Sequence, residues 1–221
     1  MFRTELLEVN PIKRVVIDGV RYYETPTGEK YPSVTTVLKG HYQKKKTGII
    51  KWRNRVGAKE ANRITTQAAS RGTGLHKICE RYIGNEEDYD RKAMPTTLND
   101  FQNIQPILDK YISVVLGIEF PLFSHKLQTA GTSDLVCIWG NTPSIVDFKT
   151  ARKPKKEEWI EDYFVQSTTY GMMVSENYSI DIEQIVVIVL VENMAPTIFI
   201  KPINTFRDKV NEIFITGRPQ I

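Results

Sequence analysis

The sequence is poor in cysteine. Cys79 and Cys137 are the only two in 221 residues, too few for a disulfide framework or a four-thiolate metal or Fe–S site. No Fe–S cluster is expected, and a reducing cytosol is the default. Long apolar runs are also missing. The longest, Ile185 to Val191, has seven residues, against about 20 for a bilayer span, so no membrane partner is expected. The start, Met1-Phe2-Arg3-Thr4-Glu5, lacks the apolar stretch of a secretory signal, and Glu5 and Glu8 do not suit an acid-poor transit peptide. There are no repeats and no low-complexity tract. Acid is scarce in one place. Between Lys39 and Lys77 eleven Lys/Arg face a single Glu60, a local charge of +10 in a chain of net +4. The remainder is therefore −6. Such lopsidedness points to a polyanion partner, or to a solvated basic helix face.

What is present fits one globular α/β domain: 41% hydrophobic and 25% charged residues. Lys13 to Tyr23 reads as a hairpin turning at Asp18-Gly19, within an N-terminal section of residues 1–30. A second turn at Thr27-Gly28 precedes Tyr31-Pro32-Ser33. Ser33 is placed to cap a short helix through Leu38. Gly40 to Gly48 reads as a basic loop, and Ile49 to Asn62 and Ala68 to Ile83 as helices. Thr97 opens a long helix whose apolar spacing continues through Ile112 and Val115, with a kink expected at Pro106. These elements make residues 31–116 a basic helical lobe. Residues 117–221 then read β-β-β-α-β-β-α: strands at 117–128, 130–139 and 144–149, a helix from Glu157 to Ser175, strands at 184–192 and 197–202, and a closing helix from Thr205 to Ile215. The order predicts a mixed sheet with flanking helices.

The chemistry concentrates in Gly131-Thr132-Ser133-Asp134, Val146-Asp147-Phe148-Lys149-Thr150, and then Gln166 and Tyr170. Asp147 and Lys149 lie two apart on a strand and share one face. Asp134 is one hairpin length upstream. Adjacent strands therefore bring two carboxylates and an ammonium together. Carboxylate oxygens suit Mg²⁺ or Mn²⁺, and a lysine beside the attacking water stabilises charge developing on a phosphate. Gln166 and Tyr170 share a helix face. Each piece has a plainer reading: an ion pair for Asp147 and Lys149, a turn aspartate for Asp134, a solvated helix edge for Gln166 and Tyr170.

Taken in order, Gly-Thr-Ser-Asp134, Asp147-Phe-Lys149-Thr and Gln166-x-x-x-Tyr170 resemble the RecB-type branch of the PD-(D/E)XK nucleases. His76, in Arg71-Gly-Thr-Gly-Leu-His76, is similar to that branch's upstream histidine, and Glu119 to the acid of its preceding strand. Pro32-Ser33-Val34-Thr35, Lys51-Trp52 and the tail Val186-Val187-Ile188-Val189 … Ala195-Pro196-Thr197 are similar to the group of mitochondrial genome maintenance exonucleases and their bacterial and phage relatives. The resemblance spans about residues 30 to 203. It implies a PD-(D/E)XK core under the basic helical lobe, and cleavage of single-stranded DNA from a free end with Mg²⁺ or Mn²⁺. His76, Asp134, Asp147 and the Phe148 carbonyl would hold the metal, with Glu119 ranked below them. Lys149 would activate the water, with Gln166 and Tyr170 supporting it. The expected DNA contacts are Ser33, Thr35, Lys44, Lys45, Lys46, Lys51, Trp52, Arg53 and Arg71. A double-strand exonuclease, a structure-specific endonuclease and an idle nucleic-acid-binding module are the alternatives. The missing targeting segment places the expected protein in a bacterial or phage-infected cytoplasm. Core roles remain open for His76, the aromatics and both cysteines.

Overall fold

The computed structural model describes residues 1–42 and 44–218, the side chains of 44–47 excepted. It is a mixed α/β fold: a six-stranded mixed sheet flanked by helices, with a small three-stranded sheet beside it. The small sheet comprises β2 (Lys13–Ile17), β3 (Val20–Glu24) and β4 (Lys30–Pro32), all antiparallel. Asp18 and Gly19 both take positive φ, the demand of the tight turn that their pairing predicts. The order of the large sheet is β1-β5-β6-β7-β8-β9. Its strands are β1 (Arg3–Thr4), β5 (Ile112–Ser124), β6 (Thr129–Trp139), β7 (Thr142–Ala151), β8 (Gln184–Val191) and β9 (Thr197–Pro202). Antiparallel pairs join β5 to β6, β6 to β7 and β8 to β9, whereas β7 and β8 run parallel.

Strand β8 explains the long apolar run. Ile185, Val187, Val189 and Val191 belong to the core on one face, and Val186, Ile188 and Leu190 to the core on the other. A central strand covered on both sides has no reason to alternate with polar residues. Helices α1 (Val34–His41), α5 (Glu161–Tyr178) and α6 (Asn204–Asn211) cover the first face, and α3 (Ala58–Ile83) and α4 (Pro95–Tyr111) the second. Cys79 and Cys137 are buried in the second-face core, and burial pushes both thiols upward. Among the described residues no helix is long and apolar enough to cross a membrane.

Several boundaries differ from the sequence reading. Most of the expected Gly40–Gly48 loop is helix: α1 runs to His41, and α2 (Lys44–Val56) follows shortly after. The break falls instead at Gly57, whose φ of 85° only glycine adopts freely, and α3 continues unbroken through Gly72 and Gly74. Helix α4 begins with Pro95 at its first turn and passes Pro106 without interruption. Buried Phe101, Ile104 and Leu108 hold it to the sheet on either side of that proline. Strand β5 begins at Ile112, five residues early, because Ile112 and Val115 fit a helical spacing as readily as a bulged strand; it shifts register between Ile112 and Val114 and again between Val115 and Gly117.

Candidate active site

Strands β6 and β7 pair only from Trp139↔Thr142 to Leu135↔Val146. Beyond that point they part. Among the described strands the far half of β6 is laddered with β5 alone, and β7 continues against β8. The start of α1 enters the opening: Ser33 bridges Ala130, and the Thr129 hydroxyl donates to the Pro32 carbonyl at 2.9 Å. Ser33 is buried and caps α1, its Oγ accepting the Thr36 N–H at 3.1 Å.

The catalytic candidates meet at the fork. Asp134 is the first β6 residue past the last β6–β7 pair, and its Oδ2 accepts the Phe148 N–H at 2.8 Å. The carboxylate thus takes a backbone donor that no strand partner reaches. His76 arrives from α3. Its Nε2 lies 2.8 Å from the Phe148 carbonyl oxygen and its Nδ1 3.3 Å from Asp134 Oδ1. Helix α3 also touches β7 further along: a Cβ on Gly72 would lie 3.4 Å from Thr150 Oγ1, and Arg71 Nη1 donates to the Ala151 carbonyl at 3.2 Å.

On either side of Phe148 in β7, Lys149 Nζ donates to Asp147 Oδ1 at 2.6 Å, and Gln166 Nε2 donates to the same oxygen at 3.3 Å. Asp147 is 3% exposed and Lys149 20%. The other carboxylate oxygen, Oδ2, lies close to the ammonium but outside hydrogen-bond geometry. Tyr163, one turn before Gln166, presents its ring 5.3 Å from Lys149 Nζ. The sequence reading missed it, although Tyr163, Gln166 and Tyr170 stand at i, i+3 and i+7 on one helix face. Tyr170 is buried beneath the fork: a Cβ on Gly131 would meet its Oη at 2.7 Å. Thr35, Tyr163 and Gln166, together with Leu38 and Tyr42, line a cavity of about 310 Å³ between α1, α2 and α5, beside the Asp147 pair.

Charge follows from this packing. Burial lowers the His76 pKa, but the facing Asp134 outweighs it and raises the value to about 9. Asp134, although desolvated, is pulled below its ordinary range chiefly by His76, with help from Lys149 and the Phe148 N–H. Burial pushes Asp147 up against the pull of Lys149. Burial opposes the charge on Lys149, while Asp147 and Asp134 favour it and prevail. Lys149 therefore acts as a cation, not as a free amine. Glu119 stands on β5 with φ of +42°, a conformation a glutamate adopts only at some cost. Its side chain is open to solvent, yet its carboxylate is partly desolvated and close to Asp134, and its pKa rises to about 7.

His76, Glu119 and Asp134 each offer a ligand atom, all within 4.8 Å of one another. With the Phe148 carbonyl against His76, this is a set of oxygens plus one imidazole, which fits Mn²⁺ or Mg²⁺. Asp147 stands outside the three-residue cluster, its carboxylate engaged by Lys149 and Gln166. Glu119, ranked last from sequence, is inside it.

The expected DNA contacts are dispersed. Lys51 is exposed on α2, Trp52 is half-buried, and Arg53 donates to Asn62 Oδ1 at 2.7 Å. The side chains of Lys44, Lys45 and Lys46 lie outside the described residues. Thr35 accepts a hydrogen bond from Arg21. Arg71 is engaged within the fold: its guanidinium donates to both Asp100 oxygens, at 2.5 and 2.9 Å.

No protein-family profile matches the chain, and no curated protein is similar to it. Among solved structures it is similar to one described as a "putative exonuclease" from Eubacterium rectale, with 10% identity, a TM-score of 0.42, and coverage of 66% of this chain and 68% of that one. The functional reading accordingly rests on the geometry of the fork.

Proposed function

We propose that the chain is a Mg²⁺- or Mn²⁺-dependent deoxyribonuclease of the PD-(D/E)XK type, RecB branch, that hydrolyses single-stranded DNA from a free end. One observation carries this reading: Asp134 and the Asp147–Lys149 pair flank the β6–β7 fork while His76 closes it from the opposite sheet face. His76, Asp134, Glu119 and the Phe148 carbonyl would hold the cation, with Asp147 next to them. When bound, the cation supplies Lewis-acid polarisation of the phosphate and lowers the pKa of water. Lys149 places a fixed positive charge where the phosphate becomes more negative, in a partly dehydrated setting where such charge is most effective. Asp147 orients the ammonium, and Gln166 and Tyr163 hold that pair in place. Tyr170 supports the fork from below. Lys44, Lys45, Lys46, Lys51, Arg53 and Thr35 are the expected phosphate contacts, with Trp52 beside them.

The preference for a free single-stranded end follows from α3. The helix covers the second sheet face, yet His76 reaches Asp134 at the fork. A strand entering the site passes between α3 and the α1–α5 side. A flexible single strand can thread such a passage, whereas duplex, with its wide grooves, needs an open face. The test compares a linear single-stranded oligonucleotide, the same sequence closed into a circle, and its duplex, each with Mg²⁺, with Mn²⁺ and with chelator. Metal-dependent cutting of the linear strand alone is the expected result. Cutting the circle equally fast would replace the exonuclease with an endonuclease, and no cutting of any substrate would overturn the reading.

A further inference from the structure

The turn that leaves the catalytic strand carries four cations in five residues: Arg152, Lys153, Lys155 and Lys156, interrupted by Pro154. It lies outside the Lys39–Lys77 segment. All five residues are exposed and none is in helix or strand. We infer that this turn, with Trp159 behind it, is a second contact surface for single-stranded DNA, gripping phosphates beyond those at the active centre. The inference rests on the proposed activity and extends it to the path of the substrate strand.

Position is the first argument. Arg152 follows Ala151, the last residue of β7, three residues beyond Lys149. At about 3.3 Å per strand residue, the cations begin on the order of 10 Å along the backbone from Lys149. A strand held at the fork needs only a few nucleotides to reach them. Availability is the second. Among the described residues, none of Arg152, Lys153 and Lys155 forms an ion pair with a carboxylate, and two nearby acids are paired with other cations: Glu157 with Lys201 at 2.6 Å and Glu60 with Arg63 at 2.7 Å. Composition is the third. Trp159 is 53% exposed, and Lys156 Nζ lies 5.4 Å from its ring centroid. A cationic turn beside a large exposed aromatic offers both elements that grip a single strand irrespective of sequence: phosphate neutralisation and a stacking platform. Pro154 restricts the backbone between the two pairs of cations, so less freedom is lost when a strand binds.

The test measures binding by the full chain in chelator, where no cutting occurs, to single-stranded oligonucleotides of about 16 and about 4 nucleotides at several salt concentrations. Replacing all four cations, R152A/K153A/K155A/K156A, should flatten the salt dependence for the longer strand by roughly 0.7 log units per log of salt for each phosphate no longer neutralised. The shorter strand should be little affected. W159A should weaken binding of the longer strand without changing its slope. Because the quadruple change is large, K153Q/K155Q provides a milder version, and both are checked for an unchanged melting temperature. Equal slopes for wild type and both variants would overturn the inference. So would anionic phospholipid vesicles that bind the wild type but not the quadruple variant while DNA binding stays constant. A turn-dependent slope in a chain that cuts no DNA with either metal would sink the proposed activity and leave this surface standing. Cutting with equal slopes would do the reverse.

Discussion

His76 and Phe148 are separated by 72 positions, yet His76 Nε2 lies 2.8 Å from the Phe148 carbonyl oxygen. A carbonyl only accepts, so Nε2 carries a proton. The other ring nitrogen faces the Asp134 carboxylate at 3.3 Å, which favours a proton there as well. The protonated ring thereby links the strand end at Phe148 to the Asp134 carboxylate.

That arrangement has a pH signature in chelator. The His76 pKa is raised from 6.5 to about 9 in the folded chain, so the fold gains stability from the bound proton. The gain is complete below pH 6.5 and declines as pH rises towards 9. With a discount for partial exposure it is on the order of 2 kcal/mol. Wild type should lose roughly 4–8 °C of melting temperature across that window, and His76→Ala should flatten it. A variant as pH-sensitive as wild type would place the titration elsewhere.

Lys149→Ala should reduce cleavage by at least ~10²-fold, the scale for removing one charge-stabilising donor. It also leaves Asp147, 3% exposed, without its cation, at a cost of about 3–5 kcal/mol. The double change Lys149→Met/Asp147→Asn should recover most of the stability and none of the activity. Melting curves and single-turnover assays on the three proteins separate the two effects. Recovered activity in the double variant would remove Lys149 from the chemistry.

Gly131 has no room for a methyl group. Its added Cβ would lie 2.7 Å from Tyr170 Oη and 3.0 Å from Cε1, so Gly131→Ala should destabilise by about 1–3 kcal/mol. Tyr170→Phe, which removes the nearer atom, should restore part of the loss in the same background. Denaturant midpoints of the four proteins in this cycle measure the coupling, and purely additive losses would contradict the contact.

Arg71→Ala should behave as a stability variant. It strands Asp100, which is 3% exposed, and should cost about 3–5 kcal/mol. The salt dependence of single-strand binding should stay unchanged, measured well below the lowered melting temperature. A flatter slope at unchanged stability would return Arg71 to the DNA contacts.

The sequence by itself determined whatever depends on neighbours in the chain. Asp18-Gly19 has the turn chemistry for its hairpin, Ser33 the oxygen to cap α1, and Ile185–Val191 the uninterrupted apolarity of a strand buried on both faces. The strand–strand–helix order and the spacing of Asp134, Asp147, Lys149 and Gln166 were legible for the same reason: periods of two and about four residues are properties of backbone geometry. The Gly57 break was not legible, because glycines occur in helices and at their ends alike, and α2 lacks a clear apolar stripe. Tertiary structure alone decided the partners. Arg71 reads as one more cation in a basic stretch until α4 brings Asp100 against it. Glu119 reads as a strand-edge charge until β5 pairs with β6, Ile118 opposite Leu135 and Phe120 opposite Ser133, which sets it across from Asp134, and Tyr163 gains meaning only once Lys149 lies beneath its ring. Which charges are stabilised depends on desolvation and on distances of a few ångströms, and both are set only when segments far apart in the chain close around the fork.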